Sequence, residues 1–219
     1  EIIAIIIFAM VLITIMSERL HRTAAALTGT VLLLLTGILD VNKAVSYVDF
    51  NTIGVLVGMM IFVAVIKHSG LFEYISIKAA KMAKGDPWKI MVAFMLITAI
   101  CSAFLDNVTT VLLMGPMTIT IAKMMKIDPI PILLGQIVAS NIGGTMTMIG
   151  DPPNIMIGSA ADFAFIDFIR NTGLACVFGL IVVITGMKFV YKKKLVADEK
   201  AIADIMKLDE NKAIADKRL

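Results

Sequence analysis

Ser140-Asn141-Ile142-Gly143-Gly144-Thr145-Met146-Thr147-Met148-Ile149-Gly150-Asp151-Pro152-Pro153-Asn154 interrupts a chain otherwise built of apolar helical runs. Glycines at 143, 144 and 150 free the backbone. Pro152 and Pro153 remove two N–H donors and disfavour helix for the residue before each. In hydrocarbon an unsatisfied backbone group costs several kcal/mol, so broken helix is tolerated only where it is buried in protein or lines a cavity. Carbonyls released there can coordinate a cation, and helix N-termini can face an anion. If the surroundings are membrane, Asn141 to Asn154 is therefore a candidate solute site.

The composition says that they are. The 219 residues are 59% hydrophobic and 17% charged, with a mean hydropathy of +0.92, above the apolar share of roughly 45–50% typical of soluble domains. Ile2 to Met16, Ala24 to Leu39 and Leu174 to Met187 contain no formal charge. Runs of this kind are candidate spans, since crossing hydrocarbon takes about 20 mostly apolar residues. Cys101 and Cys176 lie inside apolar runs and read as small buried hydrophobes, not as a disulfide or metal pair. The chain opens at Glu1 directly in an apolar segment, which leads us to expect further sequence upstream; the basic leader and small-residue cleavage site of a signal peptide are not visible.

Moving outward from the break, Ile2 to Met16 and Leu20 to Leu39 read as two helices joined by Ser17-Glu18-Arg19, and a third runs from about Val48 to Ile66. Residues 1–69 thus form three scaffold spans. Residues 70–86 alternate Leu71, Phe72, Ile75, Ile77 and Met82 with Lys78, Lys81 and Lys84, the pattern of an amphipathic helix lying on the membrane surface. Asp86-Pro87 ends it, with Trp88 as an interfacial aromatic. Residues 87–126 hold two apolar arms, Ile90 to Leu105 and Val108 to Met125, parted only by Asp106-Asn107; each is short enough to be half of a re-entrant hairpin. Residues 127–161 form the interrupted helix, 162–191 an external loop and the last span, and 192–219 a charged cytoplasmic tail or linker. The fold class expected is all-α integral membrane: five crossing helices, one re-entrant helical hairpin and one interrupted helix.

Basic residues orient this plan, because cytoplasmic loops carry the excess of Lys and Arg. With the N-terminus outside, Arg19, Arg22, Lys67, Lys78, Lys81, Lys84, Lys89, Lys123, Lys126, Lys188 and Lys192 to Lys194 all fall inside, and Lys43 and Arg170 outside. Two full spans in place of the hairpin satisfy the same count. An odd number of crossings means that a second copy joined after the tail would insert upside down, the inverted-repeat plan of many secondary transporters. No internal duplicate is present, so the chain reads as one repeat, completed by a second half or by another copy of itself as a homo-oligomer.

A second break lies at Leu105-Asp106-Asn107-Val108-Thr109-Thr110, where side-chain oxygens meet the amides of a helix start. Asp106 and Asp151 are the carboxylates placed at membrane depth. An ionisable group there costs a few kcal/mol unless paired or hydrated, which makes it a functional candidate; the blander reading is that each caps the helix after it. His21 and His68 sit beside Arg22 and Lys67 at interfacial positions. The sixteen methionines fall on every face and read as adaptable packing. Gly54 and Gly58 are a weak signal of close helix packing. No nucleophile/base or metal-ligand spacing appears in the interior, so an enzyme is not expected, nor is a nucleic-acid partner.

At these two breaks the chain resembles the ion-transporter superfamily, in particular permeases grouped with arsenite pumps, sodium/proton antiporters and the melanosomal P protein. The likeness covers nearly the whole chain as the N-terminal half of such a permease. In the related dicarboxylate/sodium symporters a hairpin-tip Ser-Asn-Thr and a Gly-Gly-x-x-Thr-x-Ile-Gly-Thr-Pro-Pro-Asn loop form a sodium site beside the substrate. The resemblance implies a hairpin tip at Asp106, Asn107 and Thr109, with Thr110 next to it. It implies a facing loop at Gly143, Gly144, Thr147, Gly150 and Asn154, flanked by Asn141, Thr145 and Asp151. A sodium ion would lie at Asp106, Asn107, Gly143 and Gly144.

The sequence departs from the symporters at Asp106 and Asp151, each of which adds a carboxylate. A like pair at 4 Å costs about 4 kcal/mol at an effective dielectric of about 20, which disfavours a di- or tricarboxylate unless the acids are protonated or cation-bound. The function expected is half of a secondary active transporter in a prokaryotic plasma membrane. It would move an inorganic ion or small oxyacid, by sodium/proton antiport or arsenite efflux, coupled to protons or sodium. A passive anion channel, a dicarboxylate/sodium symporter and a non-transporting membrane subunit are the alternatives.

Overall fold

A computed structural model describes residues 2–192, 195, 197, 199–208 and 210; among them all regular structure is helical. The chain divides into two compact units, Glu1–Phe50 and Asn51–Leu219. In the first, α1 (Ile2–Met16) pairs with α2 (Arg22–Leu35) through a turn in which Glu18 takes a left-handed conformation. Gly29 is the contact point: an added Cβ would collide with the Val11 side chain. The stretch after α2 carries the short helix α3 (Val41–Ser46), capped by Asp40, whose carboxylate accepts from Asn42 N at 3.1 Å.

The second unit contains the rest. Helix α4 (Phe50–Ser69) reaches three residues beyond its expected end at Ile66, and Gly70 at φ 76° turns the chain into α5 (Leu71–Met82). The amphipathic pattern of α5 sorts only in part: Phe72 and Ile77 are buried with Ser76, Ala79 and Ala80, and Lys78 is exposed, but so are Leu71 and Met82, because the face that packs inward is the one that carries the small residues. Asp86 then caps α6 (Pro87–Ser102), accepting from Trp88 N at 2.9 Å and Lys89 N at 3.2 Å, with Pro87 in the first turn where no N–H is missed.

Helices α6, α7 (Asn107–Met124) and α8 (Ile130–Thr145) form the packed heart of this unit, and α10 (Phe165–Tyr191) lies against α8. Ile90, Met91, Phe94, Met95, Met114, Ile121 and Ile132 are fully buried there. The α6–α8 approach is close because glycines face it. A Cβ on Gly135 would come within 2.9 Å of the Met95 sulfur, and one on Gly143 would run into the Ala99 backbone. Between α8 and α10 stands the ten-residue α9 (Pro152–Ala161), ended by Asp162 in the left-handed region.

Among the described residues two helices, Phe50–Ser69 and Phe165–Tyr191, are long and apolar enough to cross a membrane; α1, α2, α6 and α8 are shorter apolar helices. Helix α10 starts nine residues before Leu174, where the charge-free run begins, because Asp167 accepts from Ala164 N at 2.9 Å and starts the helix early. The segment after α10, read from its charges as solvated, holds α11 (Glu199–Met206). This helix docks on α5 and α7, with Leu195, Ala201 and Ile205 buried.

Candidate functional site

The two breaks lie side by side. Helix α6 ends at Ser102, and Asp106 caps α7: its Oδ1 accepts from Thr109 N at 2.8 Å and its Oδ2 accepts the Thr109 hydroxyl. Helix α8 continues through Gly143-Gly144 to Thr145, five residues past Ser140, so the true break is 146–151. None of Gly143, Gly144 or Gly150 takes a positive φ. Their use is close approach. Gly143 fits against Ala99, and Gly144 and Gly150 face each other so tightly that a Cβ on Gly144 would lie 2.8 Å from the Gly150 carbonyl. The glycines expected to loosen the helix instead let α6, α8 and the loop touch backbone to backbone.

Hydrogen bonds close this junction. Ser102 Oγ donates to the Ser140 carbonyl at 2.7 Å, and the Thr147 hydroxyl donates to the Ala103 carbonyl. Gly150 N donates to Thr147 Oγ1 at 3.2 Å. Asn154 Nδ2 donates to the carbonyls of Gly144 at 3.1 Å and Thr147 at 2.9 Å, folding the start of α9 back over the end of α8. From α10, Thr172 Oγ1 donates to the Thr145 carbonyl at 3.1 Å. The carbonyls freed at the C-terminus of α8 are thus largely answered by protein groups, as a break shielded from water requires.

At the mouth of the junction is Asn107. Its amide nitrogen donates to Asn141 Oδ1 at 3.1 Å and reaches Asp151 Oδ2 at 3.5 Å. Asp151 stands at the N-cap of α9 yet makes no capping hydrogen bond, and the Asn107 amide that it meets is the residue after Asp106. Capping therefore accounts for Asp106 in part and for Asp151 not at all. Two helix N-termini, α7 and α9, bring partial positive charge to the same place.

The site residues expected from sequence fall into distinct groups. Asp106, Asn107, Asn141 and Asp151 meet at the mouth, with Thr109 bound to Asp106. Thr147, Gly150, Asn154, Gly143 and Gly144 form the scaffold behind it. Thr145 is exposed and turns its hydroxyl back to the Asn141 carbonyl at 2.8 Å. Thr110 is fully buried and its hydroxyl has no hydrogen-bond partner. The Gly143 carbonyl accepts from Met146 N at 3.0 Å and that of Gly144 from Asn154 Nδ2 at 3.1 Å. Among the described residues no cluster of three His, Cys, Asp or Glu side chains could hold a metal ion. Sequence reading passed over Ser102 and Thr172, whose partners lie on other helices and leave no local pattern.

Two cavities flank the mouth. One, of about 290 Å³, is lined by Leu56, Met59 and Met60 of α4 together with Asp106, Thr109, Ile149 and Pro152. The other, of about 260 Å³, is lined by Asn107, Val108, Val111, Ile137 and Asn141 among others. The Asp106-Asn107 turn is the partition between them.

This geometry can be set beside known proteins. The 46 kDa membrane protein of Mycobacterium leprae is 38% identical over 224 residues, covering all of this chain and 52% of that protein. An uncharacterized transporter of Mycobacterium tuberculosis is 39% identical over the same span, again 52% of its length. The human P protein is 42% identical over 162 residues, which are 72% of this chain and 19% of that protein. The chain thus spans about half the length of the mycobacterial relatives it matches. The model of a family of membrane transporters, described as CitMHS, citrate transporter, matches residues 3–219, and the chain belongs to that family.

Proposed function

We propose that this chain forms one half of a secondary active transporter whose coupling proton or sodium ion binds among Asp106, Asn107, Asn141 and Asp151. The observation that carries the reading is the Asn107 amide, shared between Asn141 and an Asp151 that caps nothing. Two carboxylates held near each other at membrane depth need a compensating positive charge. A bound proton or cation supplies it, and removing that charge raises the free energy of the empty site. Transport is coupled in this way when the solute in an adjoining cavity is bound only with the charge in place. The solute best matched to an acidic mouth is an inorganic cation exchanged for protons or a small oxyacid neutral at pH 7, such as arsenous acid.

A second reading has its own support. The family is named for citrate, and a tricarboxylate could enter the same site only when cations or protons neutralise Asp106 and Asp151. Proteoliposomes loaded with a pH-sensitive dye separate the readings. Imposed sodium or arsenite gradients should move protons in the first case. In the second, labelled citrate should accumulate, and only with a coupling cation. Asp106→Asn and Asp151→Asn are expected to lower coupled flux by about tenfold or more each. Unchanged flux with unchanged pH dependence in both variants would sink the assignment, and failure of any solute to accumulate uphill would leave a passive channel.

A further inference from the structure

Beneath the polar mouth, where α6, α7 and α8 are most tightly packed, lies a side chain that hydrophobic packing does not explain. Gln136 of α8 is fully buried. Its Oε1 accepts from Thr118 Oγ1 of α7 at 2.8 Å, and its Nε2 donates to Thr98 Oγ1 of α6 at 3.2 Å. Thr98 and Thr118 are also fully buried. One amide therefore ties together the three helices that carry the site. Burying these groups is costly even when they are satisfied, and apolar side chains of similar shape in place of all three would be about as stable. Stability is a poor account of Gln136.

Register is a better one. The surfaces that α6 and α8 turn to each other are closest at glycines, with Gly135 against the flexible Met91 and Met95 side chains and Gly143 against the Ala99 backbone. Glycine faces let backbones approach but offer no knobs to resist axial sliding. Directional hydrogen bonds do resist it. Thr98 lies one helical turn from Ser102, and Gln136 one turn from Ser140, so the Ser102–Ser140 bond is the next rung of the same seam. Asn141 follows directly. A helix is stiff over such distances, so a slip at Gln136 is carried undiminished to the mouth.

We infer that Gln136 is a positioning residue: through Thr98 and Thr118 it fixes the axial register of the hairpin arms against α8, and so sets Asn107 against Asn141 and Asp151. The functional consequence rests on the reading of that cluster as the coupling-ion site; the register itself does not. The test uses Thr98→Val/Gln136→Leu/Thr118→Val, which leaves no buried polar group stranded, beside Gln136→Leu, in which Thr118 still bonds the Met114 carbonyl at 3.0 Å. Both are made with Cys101 and Cys176 changed to Ala and with single cysteines at Val108 and Ile137, which line one cavity.

In the parent protein a short bifunctional thiol reagent should join the pair rapidly. In the triple variant the thermal midpoint should hold, the cross-link should form several-fold more slowly, and half-saturation by sodium in the proton-exchange assay should rise about tenfold. Cross-linking at the parent rate in the triple variant overturns the inference whatever the flux shows. A slower cross-link with an unchanged sodium constant overturns the link from register to site. Recovery of both values in the triple variant after their loss in Gln136→Leu would make the trio mutual desolvation partners only, and would also overturn it. If the parent exchanges no protons for sodium, the coupling-site reading fails while the cross-linking result still decides the register.

Discussion

At the residue scale, the two aspartates of the mouth should separate by their answers to the same substitutions. Asp106 both caps α7 and carries charge, whereas Asp151 caps nothing. Asparagine is as good a cap as aspartate, and loss of a cap to alanine costs about 0.5–2 kcal/mol. Asp106→Ala should therefore lower stability by about 1 kcal/mol and abolish coupling, while Asp106→Asn should keep stability and lose only coupling. Asp151→Asn and Asp151→Ala should both keep stability within about 0.5 kcal/mol. Thermal unfolding in detergent next to the flux assay measures both. A stability loss in Asp151→Ala equal to that in Asp106→Ala would show a capping role that the structure does not contain. Thr110 adds a related case. Its buried, unpartnered hydroxyl makes Thr110→Val stabilising in the absence of ions, since a stranded polar group costs about 1–3 kcal/mol. If sodium or a water completes that hydroxyl in the working protein, the variant should instead lose the thermal shift that sodium gives to the parent.

At the element scale, the caps and the breaks could be read in the sequence, whereas what the elements do to one another could not. Asp106 marks a helix start by local chemistry, and α7 begins there; Asp86-Pro87 and Pro152-Pro153, read as ending helices, also open α6 and α9. The glycines at 143 and 144 misled, because loosening and close packing use the same residue; only the Ala99 backbone opposite decides between them. Gln136 is a single polar residue in an apolar run, and its partners Thr98 and Thr118 are distant in sequence, so its role leaves no local pattern. The docking of α11 was hidden by its charges. Lys81 of α5 donates to the Glu210 carboxylate at 2.6 Å and to the Leu208 carbonyl at 3.2 Å, so one ammonium holds the end of this segment. That hydrogen bond, ahead of other causes, keeps the Glu210 carboxyl below the usual range. A depressed acid stabilises the docked form above its ordinary pKa and loses that contribution as pH falls through the lowered value. Protease cleavage near residue 200 should accordingly rise as the pH is lowered past the carboxylate range. Glu210→Gln should raise it already at neutral pH, and equal cleavage of both proteins at every pH would exclude the Lys81 tether.

At the scale of the whole molecule, hydropathy fixed the membrane class but left the hairpin undecided, because two returning arms and two full spans place the same lysines on the same side. Length does not decide it, since α1 and α2, read as full spans, have only 15 and 14 residues. Helices α6 and α7 have 16 and 18 residues, about 24 and 27 Å at about 1.5 Å per residue, against hydrocarbon about 30 Å thick. Helix α10, with 27 residues, reaches about 40 Å and can cross even when tilted. The carboxylates at the tip of the two arms are the reason to expect a hairpin that stops within the bilayer. Phe104, at the tip and exposed, is the place to measure it. In a background with Cys101 and Cys176 changed to Ala, a cysteine at Lys43 should react with a membrane-impermeant maleimide from outside intact cells, and one at Lys78 only after permeabilisation. A cysteine at Phe104 in a re-entrant hairpin should react from neither side at the rate of these loop positions, yet yield to a small permeant reagent. Labelling at Phe104 as fast as at Lys43 would establish two full spans and move Asp106 out to the membrane surface. The carboxylate pair would then stand in water, where no compensating ion is required, and the coupling role proposed for it would lose its physical basis.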